Sequence, residues 1–130
     1  MATRSNTIIK LGRTKLIFYK HHDGYPSGVG KDLFDKLCHY NSNLSDEKTI
    51  NIEEFIQSMF FSFDLVEEVS SDIDYLYILN FDANYNCQKE DKYKFNYIKV
   101  DQDHKYGKGG SDYFYSLDEF NKFITKDEAA

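Results

Sequence analysis

Arginine, histidine and lysine gathered at a glycine-rich helix start make an anion site. This chain carries those types at Arg4, His21 and Lys31 around the segment Tyr19-Lys-His-His-Asp-Gly-Tyr-Pro-Ser-Gly-Val-Gly30. Backbone N–H groups at such a junction attract negative charge. Three of the chain's seven glycines and its only proline fall here, so the segment reads as a tight crossing from a strand into a helix. The phosphate loop of nucleoside triphosphatases is excluded by spacing: Gly24 lies one residue too far from Gly30-Lys31, and Asp32 stands where a magnesium-binding Ser or Thr belongs. A simpler site remains, with Arg4, His21, Lys31 and the amides of Gly28 to Gly30 holding phosphate while tyrosines stack on a base. The candidate ligand-binding residues are Arg4, Tyr19, His21, Asp23, Tyr25, Gly28, Gly30 and Lys31. The same residues also suit a purely structural turn, with Asp23 as an Asx-type residue whose carboxylate takes local amides.

Other chemistries have weaker grounds. His21 and His22 are neighbours at a strand end, where successive side chains point to opposite faces, and His39 and His104 are remote in sequence. Asp82-x-Asn84-x-Asn86 and Asp101-x-Asp103 begin like calcium loops, but Cys87 and Tyr106 occupy the glycine position and no Glu closes either loop. No Ser-His-Asp, Cys-His or paired-Glu pattern stands out, and Cys38 falls on the expected core face of its helix. No catalytic residue, metal ligand or cofactor is assigned. The segment His104 to Ser111 is a basic glycine-rich loop with a tyrosine, able to close over an anion.

The elements that must position these groups follow from periodicity. Asn6–Leu11 and Thr14–His21 read as strands joined by Gly12-Arg13, a Gly-X pair suited to a type II′ turn. That turn sets Ile9 opposite Leu16, Thr7 opposite Phe18 and Asn6 opposite Tyr19, and by extension Arg4 opposite His21. Val29, Leu33, Phe34, Leu37 and Cys38 have helical spacing, with Asp32 and Lys36 as an i,i+4 pair. Asn41 to Thr49 reads as a loop. Asn51 and Glu54 mark the start of a second helix with the stripe Ile52, Phe55, Ile56, Met59, Phe60 and Phe63. After an acidic stretch from Asp64 to Asp72, Ile73 to Phe81 is a central strand with two largely apolar faces. Asp82 to Asn86 is a turn, Tyr93 to Val100 a return strand flanked by the stretch Cys87 to Lys92, and Asp101 to Asp112 a loop. Ser116 with Glu119 opens a C-terminal helix. The expected architecture is a single α+β domain over residues 1–130, an antiparallel sheet of four to five strands with two to three helices packed on one face. Its expected core contains Ile9, Leu16, Phe18, Leu33, Leu37, Phe55, Ile56, Met59, Leu76 and Ile78.

Composition bounds the partners. With 130 residues, 41% of them hydrophobic, the chain can bury one core. A formal net charge of −6 sets its field against nucleic acid as a whole, so no direct nucleic-acid binding is expected. The same field suits a protein that competes with nucleic acid for a basic partner, as well as simple solubility. Eleven Tyr and eleven Phe without Trp exceed the needs of so small a core and place some rings at a surface. No signal peptide or membrane-spanning run is evident, and two cysteines without framework spacing fit reduced thiols and a cytoplasmic setting. Self-association into a homo-oligomer is compatible with the composition.

Met1-Ala-Thr-Arg-Ser, a hairpin, and then Tyr19-Lys-His-His-Asp-Gly-Tyr-Pro26 followed by Gly30 and a helix entering at Leu33 resemble a family of small, largely uncharacterised phage and prophage proteins. That family shows M-x-T-R-S and Y-x-H-x-D-G-Y-P with a later glycine. The matching positions are Thr3, Arg4, Ser5, His21, Asp23, Gly24, Tyr25, Pro26 and Gly30, about the first third of the chain; His22 replaces the family's aromatic residue. The resemblance implies a viral accessory protein acting in the cytoplasm of an infected bacterium. Two non-catalytic roles in countering host immunity follow, sequestering a phosphorylated nucleotide signal or inhibiting a host defence nuclease or effector by protein–protein contact. A phosphodiester hydrolase acting through His21 and Asp23 is a third alternative.

Overall fold

The first hairpin takes the register its turn dictates. Strands β1 (Ser5–Leu11) and β2 (Thr14–Lys20) pair antiparallel with Leu11 opposite Thr14, Ile9 opposite Leu16 and Asn6 opposite Tyr19. Gly12 has φ +64° while Arg13 stays outside the left-handed region, as a II′ turn requires of its two central residues. The computed structural model describes residues 2–41, 49–81, 92–104, 107 and 109–128. The expected loop across 42–48, the turn at 82–86, the stretch 87–91 with Cys87, and Lys105, Tyr106 and Lys108 lie outside the described residues.

Strand β5 (Tyr75–Phe81) lies against the other side of β1 and runs parallel to it, from Ser5 opposite Tyr75 to Leu11 opposite Phe81. Strand β6 (Lys92–Gln102) pairs antiparallel with β5, with a register shift at Asn80/Phe81. Three short strands complete the sheet: β3 (Thr49–Asn51) and β7 (Ser111–Phe114) on β6, and β4 (Asp64–Val66) on β2. The order is β3-β6-β5-β1-β2-β4, with β7 also on β6.

The α+β class is as expected, but the sheet has seven strands rather than four to five and is mixed rather than antiparallel. Both differences have physical causes. Segments of three or four residues are too short to show an alternating pattern. Period-two hydrophobicity, for its part, carries no information about which distant strand lies beside β1 or in which direction it runs.

Helices α1 (Lys31–His39), α2 (Ile52–Ser62) and α3 (Leu117–Glu128) all bury their apolar stripes in one cluster with Ile9, Phe18, Tyr77, Leu79, Phe81, Phe95, Ile98 and Val100. They therefore share one face of the sheet. The caps form as the residue types demand. The Glu54 amide donates to Asn51 Oδ1 at 3.3 Å, and the Glu119 amide donates to Ser116 Oγ at 3.1 Å. Asp32 meets Lys36 at 3.3 Å. In α3, Leu117, Phe120 and Ile124 are buried, each contributing about 1.5–3 kcal/mol of transfer free energy.

Three expectations about burial are corrected. Tyr77, Leu79 and Phe81 face the helices, while Leu76 joins a second cluster with Ile8, Ile17 and Ile73 and is flanked by half-buried Ile78. Alternation sorts β5 into two faces but cannot say which is inner when both are apolar. Cys38 and Phe60, at the edges of their stripes, are exposed rather than core.

Asn6 ties the second cluster to its cover. Its fully buried side chain donates from Nδ2 to the Phe18 carbonyl at 3.0 Å and accepts from the Ser70 amide at 2.8 Å. The segment from β4 to β5, with Val66, Val69 and Ile73, thereby closes over Ile8 and Ile17. Replacing Asn6 with Ala should lower the unfolding free energy by about 2–3 kcal/mol, because two backbone groups lose a buried partner. Denaturant titration of the two proteins measures it.

Candidate functional site

The strand-to-helix junction is built by backbone groups closing on one another. Asp23 adopts φ +59°, a region that short polar side chains tolerate, and its carbonyl turns inward to accept the Val29 amide at 2.8 Å. A Cβ at residue 28 would lie 2.1 Å from that carbonyl oxygen, so only glycine fits there. Gly24 donates its amide to the Thr3 carbonyl at 2.9 Å, and its own carbonyl accepts the buried Tyr77 hydroxyl at 2.7 Å. Pro26–Gly30 then forms a π-helical turn, with proline in the first position, that runs directly into α1.

Of the Gly28 to Gly30 amides expected to hold an anion, those of Gly28 and Val29 are already engaged, as is the neighbouring Ser27 amide. Gly28 donates to the Tyr25 carbonyl at 2.9 Å, and the Ser27 amide donates to Asp127 Oδ2 of α3 at 2.9 Å. The negative charge at this helix start belongs to the chain itself.

The eight candidate residues do not meet at one point. The hairpin ladder ends with Ser5 opposite Lys20, and Arg4 turns toward β5. Its carbonyl accepts the Asp74 and Tyr75 amides, its amide donates to Asp74 Oδ2 at 3.0 Å, and its Nη1 pairs with Asp72 at 2.7 Å. His21 is instead bonded to the Tyr19 hydroxyl through Nδ1 at 2.9 Å and stands edge-on to His22, ring centres 4.6 Å apart. Lys31 pairs with Asp35 at 3.5 Å and lies over the Phe34 ring. The Asp23 carboxylate accepts the Tyr25 hydroxyl at 3.0 Å, and Gly30 is buried beside Phe120 and Ile124. Arg4 and His21 part because a distant strand supplies Asp72 and Asp74, which hairpin register cannot reveal.

Asp23, Tyr25 and Gly28 do line an open groove of about 470 Å³, together with Lys20, Ser27, Val29, Asp32 and Ser62. Its one cation, Lys20, donates to the Ser62 carbonyl at 2.8 Å and lies over Phe63. With Asp23 and Asp32 on its walls, the groove repels rather than recruits phosphate. Lys20, Asp32 and Ser62 escape sequence reasoning because they come from a strand end and two helix ends. Among the described residues, no group of three or more His, Cys, Asp or Glu side chains is placed to hold a metal ion.

A second feature lies where α2 ends and β4 begins. Phe61 is 92% exposed, Phe60 53% and Leu65 50%. Phe60 stands edge-on to buried Phe18 at 5.4 Å, and Leu65 pairs in register with Phe18. Asp64, Glu67 and Glu68, which follow closely in the chain, are exposed and form no ion pair among the described residues. A sequence signal for Phe61 exists: it adjoins Phe60 on the helix but falls off the stripe of Ile52, Phe55 and Met59.

Scanning family models matches none to this chain, and searches of curated proteins and of solved structures likewise return no match. Among the described residues, no helix is long and apolar enough to cross a membrane.

Two outcomes test the junction. Asp127→Ala should cost about 1.5–3 kcal/mol in denaturant titration, the range for a hydrogen bond to a charged group. The second concerns Tyr77, whose phenol burial holds well above its ordinary value, with Tyr75 and Asp127 acting in the same direction. When unfolded, the same phenol ionises near about pH 10. Its contribution is therefore fully present below that pH and is lost as pH rises further. Unfolding titrations should show stability falling above about pH 10, and falling less steeply in Tyr77→Phe; equal slopes would refute the assignment.

Proposed function

We propose that this chain is a non-catalytic binding protein that engages a basic protein partner through the Phe60, Phe61 and Leu65 surface. In the setting suggested by its resemblance to phage proteins, the partner is a host defence nuclease or effector. The observation that carries the reading is Phe61, a large ring held almost wholly in water close to two other exposed apolar side chains, with the unpaired Asp64, Glu67 and Glu68 following in the chain. Scattered exposed hydrophobics need no explanation, whereas neighbouring large apolar side chains left in water within an acidic stretch of chain have the composition of an interface. Phe60 is held edge-on by Phe18, so this part of the surface is ordered before binding, which reduces the entropy cost of association. The acidic stretch steers a basic partner and speeds encounter.

Sequestering a phosphorylated nucleotide at the junction has less geometric support. The Ser27 and Gly28 amides are used internally, Arg4 and Lys31 are paired with carboxylates, and the adjoining groove is acidic. A hydrolase acting through His21 and Asp23 would need both side chains on one substrate. They bond instead to Tyr19 and Tyr25.

Affinity capture from host lysate with wild-type chain and with Phe61→Ser tests the proposal. The substitution should leave stability within about 0.5 kcal/mol, since it removes no buried contact. It should cost about 2 kcal/mol or more in affinity for the partner, the range of an interface hot spot. The wild-type chain should recover one dominant basic protein, with retention falling as salt rises. Equal recovery by both chains, or recovery of no partner by either, would defeat the reading.

A further inference from the structure

The opposite face of the sheet carries a different chemistry, visible once the strand registers are combined. Lys10 stands opposite Lys15 on β2 and Asn80 on β5; Asn80 stands opposite Tyr97 on β6. Ile98 opposite Phe114 places Tyr97 beside Tyr115. One row across the sheet therefore reads Lys15, Lys10, Asn80, Tyr97, Tyr115. The next row, two residues along each strand, reads Ile17, Ile8, Ile78, Lys99, Tyr113, its Ile17 and Ile8 end covered by the β4–β5 segment.

Side-chain direction follows from alternation. Ile9, Ile98 and Val100 belong to the helix-side core and Phe114 packs against it, so Lys10, Tyr97, Lys99 and Tyr113 point the other way. Ring contacts agree: Tyr97 lies 5.5 Å from Tyr113 and 6.2 Å from Tyr115, and Lys99 Nζ sits 5.7 Å from the Tyr113 ring centre. Tyr113 is 47% and Tyr115 55% exposed. No carboxylate occurs in these two rows. Two stand at their margin: Asp101, one row further, meets Lys99 at 3.7 Å, and Glu119 accepts the Tyr115 amide at 3.0 Å. Lys10 and Lys15 form no ion pair among the described residues.

We infer that this face binds single-stranded nucleic acid, with bases stacking on Tyr113 and Tyr115 and phosphates lying toward Lys10, Lys15 and Lys99. Tyrosine rings beside lysines on the uncovered part of this face offer π-faces to unstacked bases and cations to the backbone that joins them. A duplex exposes no base face to such a platform. Five strands at about 4.8 Å spacing make the first row about 19 Å long, enough for several nucleotides. The net charge of −6 opposes binding to the molecule as a whole. Charges on the helix side lie beyond about one Debye length of 10 Å at moderate salt, so the field here is set by Lys10, Lys15 and Lys99 against Asp101 and Glu119. The inference is independent of the Phe61 surface.

Fluorescence anisotropy with labelled oligothymidylate and oligouridylate, on the full chain at low salt, tests it. Saturable binding to either is expected, weakening by about tenfold between 50 and 200 mM salt for two to three phosphate contacts. Tyr113→Ala/Tyr115→Ala should weaken binding at least tenfold, on the order expected for two stacked bases. Tyr113→Phe/Tyr115→Phe should bind as wild type, since the ring rather than the hydroxyl does the stacking. Thermal unfolding of the alanine variant, matching wild type, separates this loss from misfolding. Absence of saturable binding, equal binding by the alanine variant, or equal affinity for a blunt duplex would each overturn the inference.

Discussion

The approach of the Asp23 carbonyl to residue 28 is the constraint on which the rest depends. With hydrogen in place of a side chain at Gly28, the backbone folds back on itself and the Val29 amide finds its acceptor. This bend turns the end of β2 into α1. Gly24 is held at the same time between Thr3 and Tyr77, so the crossing is fastened to both β1 and β5. Asp127 reaches the Ser27 amide from α3, and the C-terminal helix is thereby anchored to the N-terminal third of the chain. The His-x-Asp-Gly-Tyr-Pro segment is in this sense a joint between sheet and helices. Its unusual residue types are accounted for by close backbone approach and a left-handed aspartate.

Charge is distributed with a similar logic. The chain is acidic overall, yet its carboxylates concentrate where they meet a cation or an amide, as Asp72 meets Arg4 and Asp127 meets Ser27, or where they follow the exposed phenylalanines in the chain. The tyrosine and lysine rows on the far side of the sheet contain none themselves and meet Asp101 and Glu119 at their margin. Strand alternation is what keeps the two surfaces apart. On β2 and β4, Phe18 and Leu65 look toward the helices, while Lys15 looks the other way; on β6, Ile98 looks inward and Tyr97 and Lys99 look outward. A surplus of aromatic residues, more than the core can hold, thus goes to two separate surfaces.

Much of the local structure is legible from residue types alone. Gly12-Arg13 determines the turn and with it the hairpin register. Asn51 with Glu54 and Ser116 with Glu119 determine two helix starts, and helical spacing identifies Leu33, Leu37, Phe55, Met59, Phe120 and Ile124 as buried. Each depends on interactions within a few residues. The candidate site is legible only as a place, since the glycines and proline mark a crossing without saying what its amides will meet.

Tertiary structure decided everything that depends on distant partners. The parallel pairing of β1 with β5 brought Asp72 and Asp74 to Arg4, removing it from His21, and chose Tyr77 over Leu76 for the inner face. Docking of α3 supplied the carboxylate that fills the helix start. The cross-strand row from Lys15 to Tyr115 exists only because four separate registers add up. The sequence alone determined the turns, caps and stripes, because those energies are local. Which charges and rings became neighbours was settled by strand order, to which a period of two or 3.6 residues is blind.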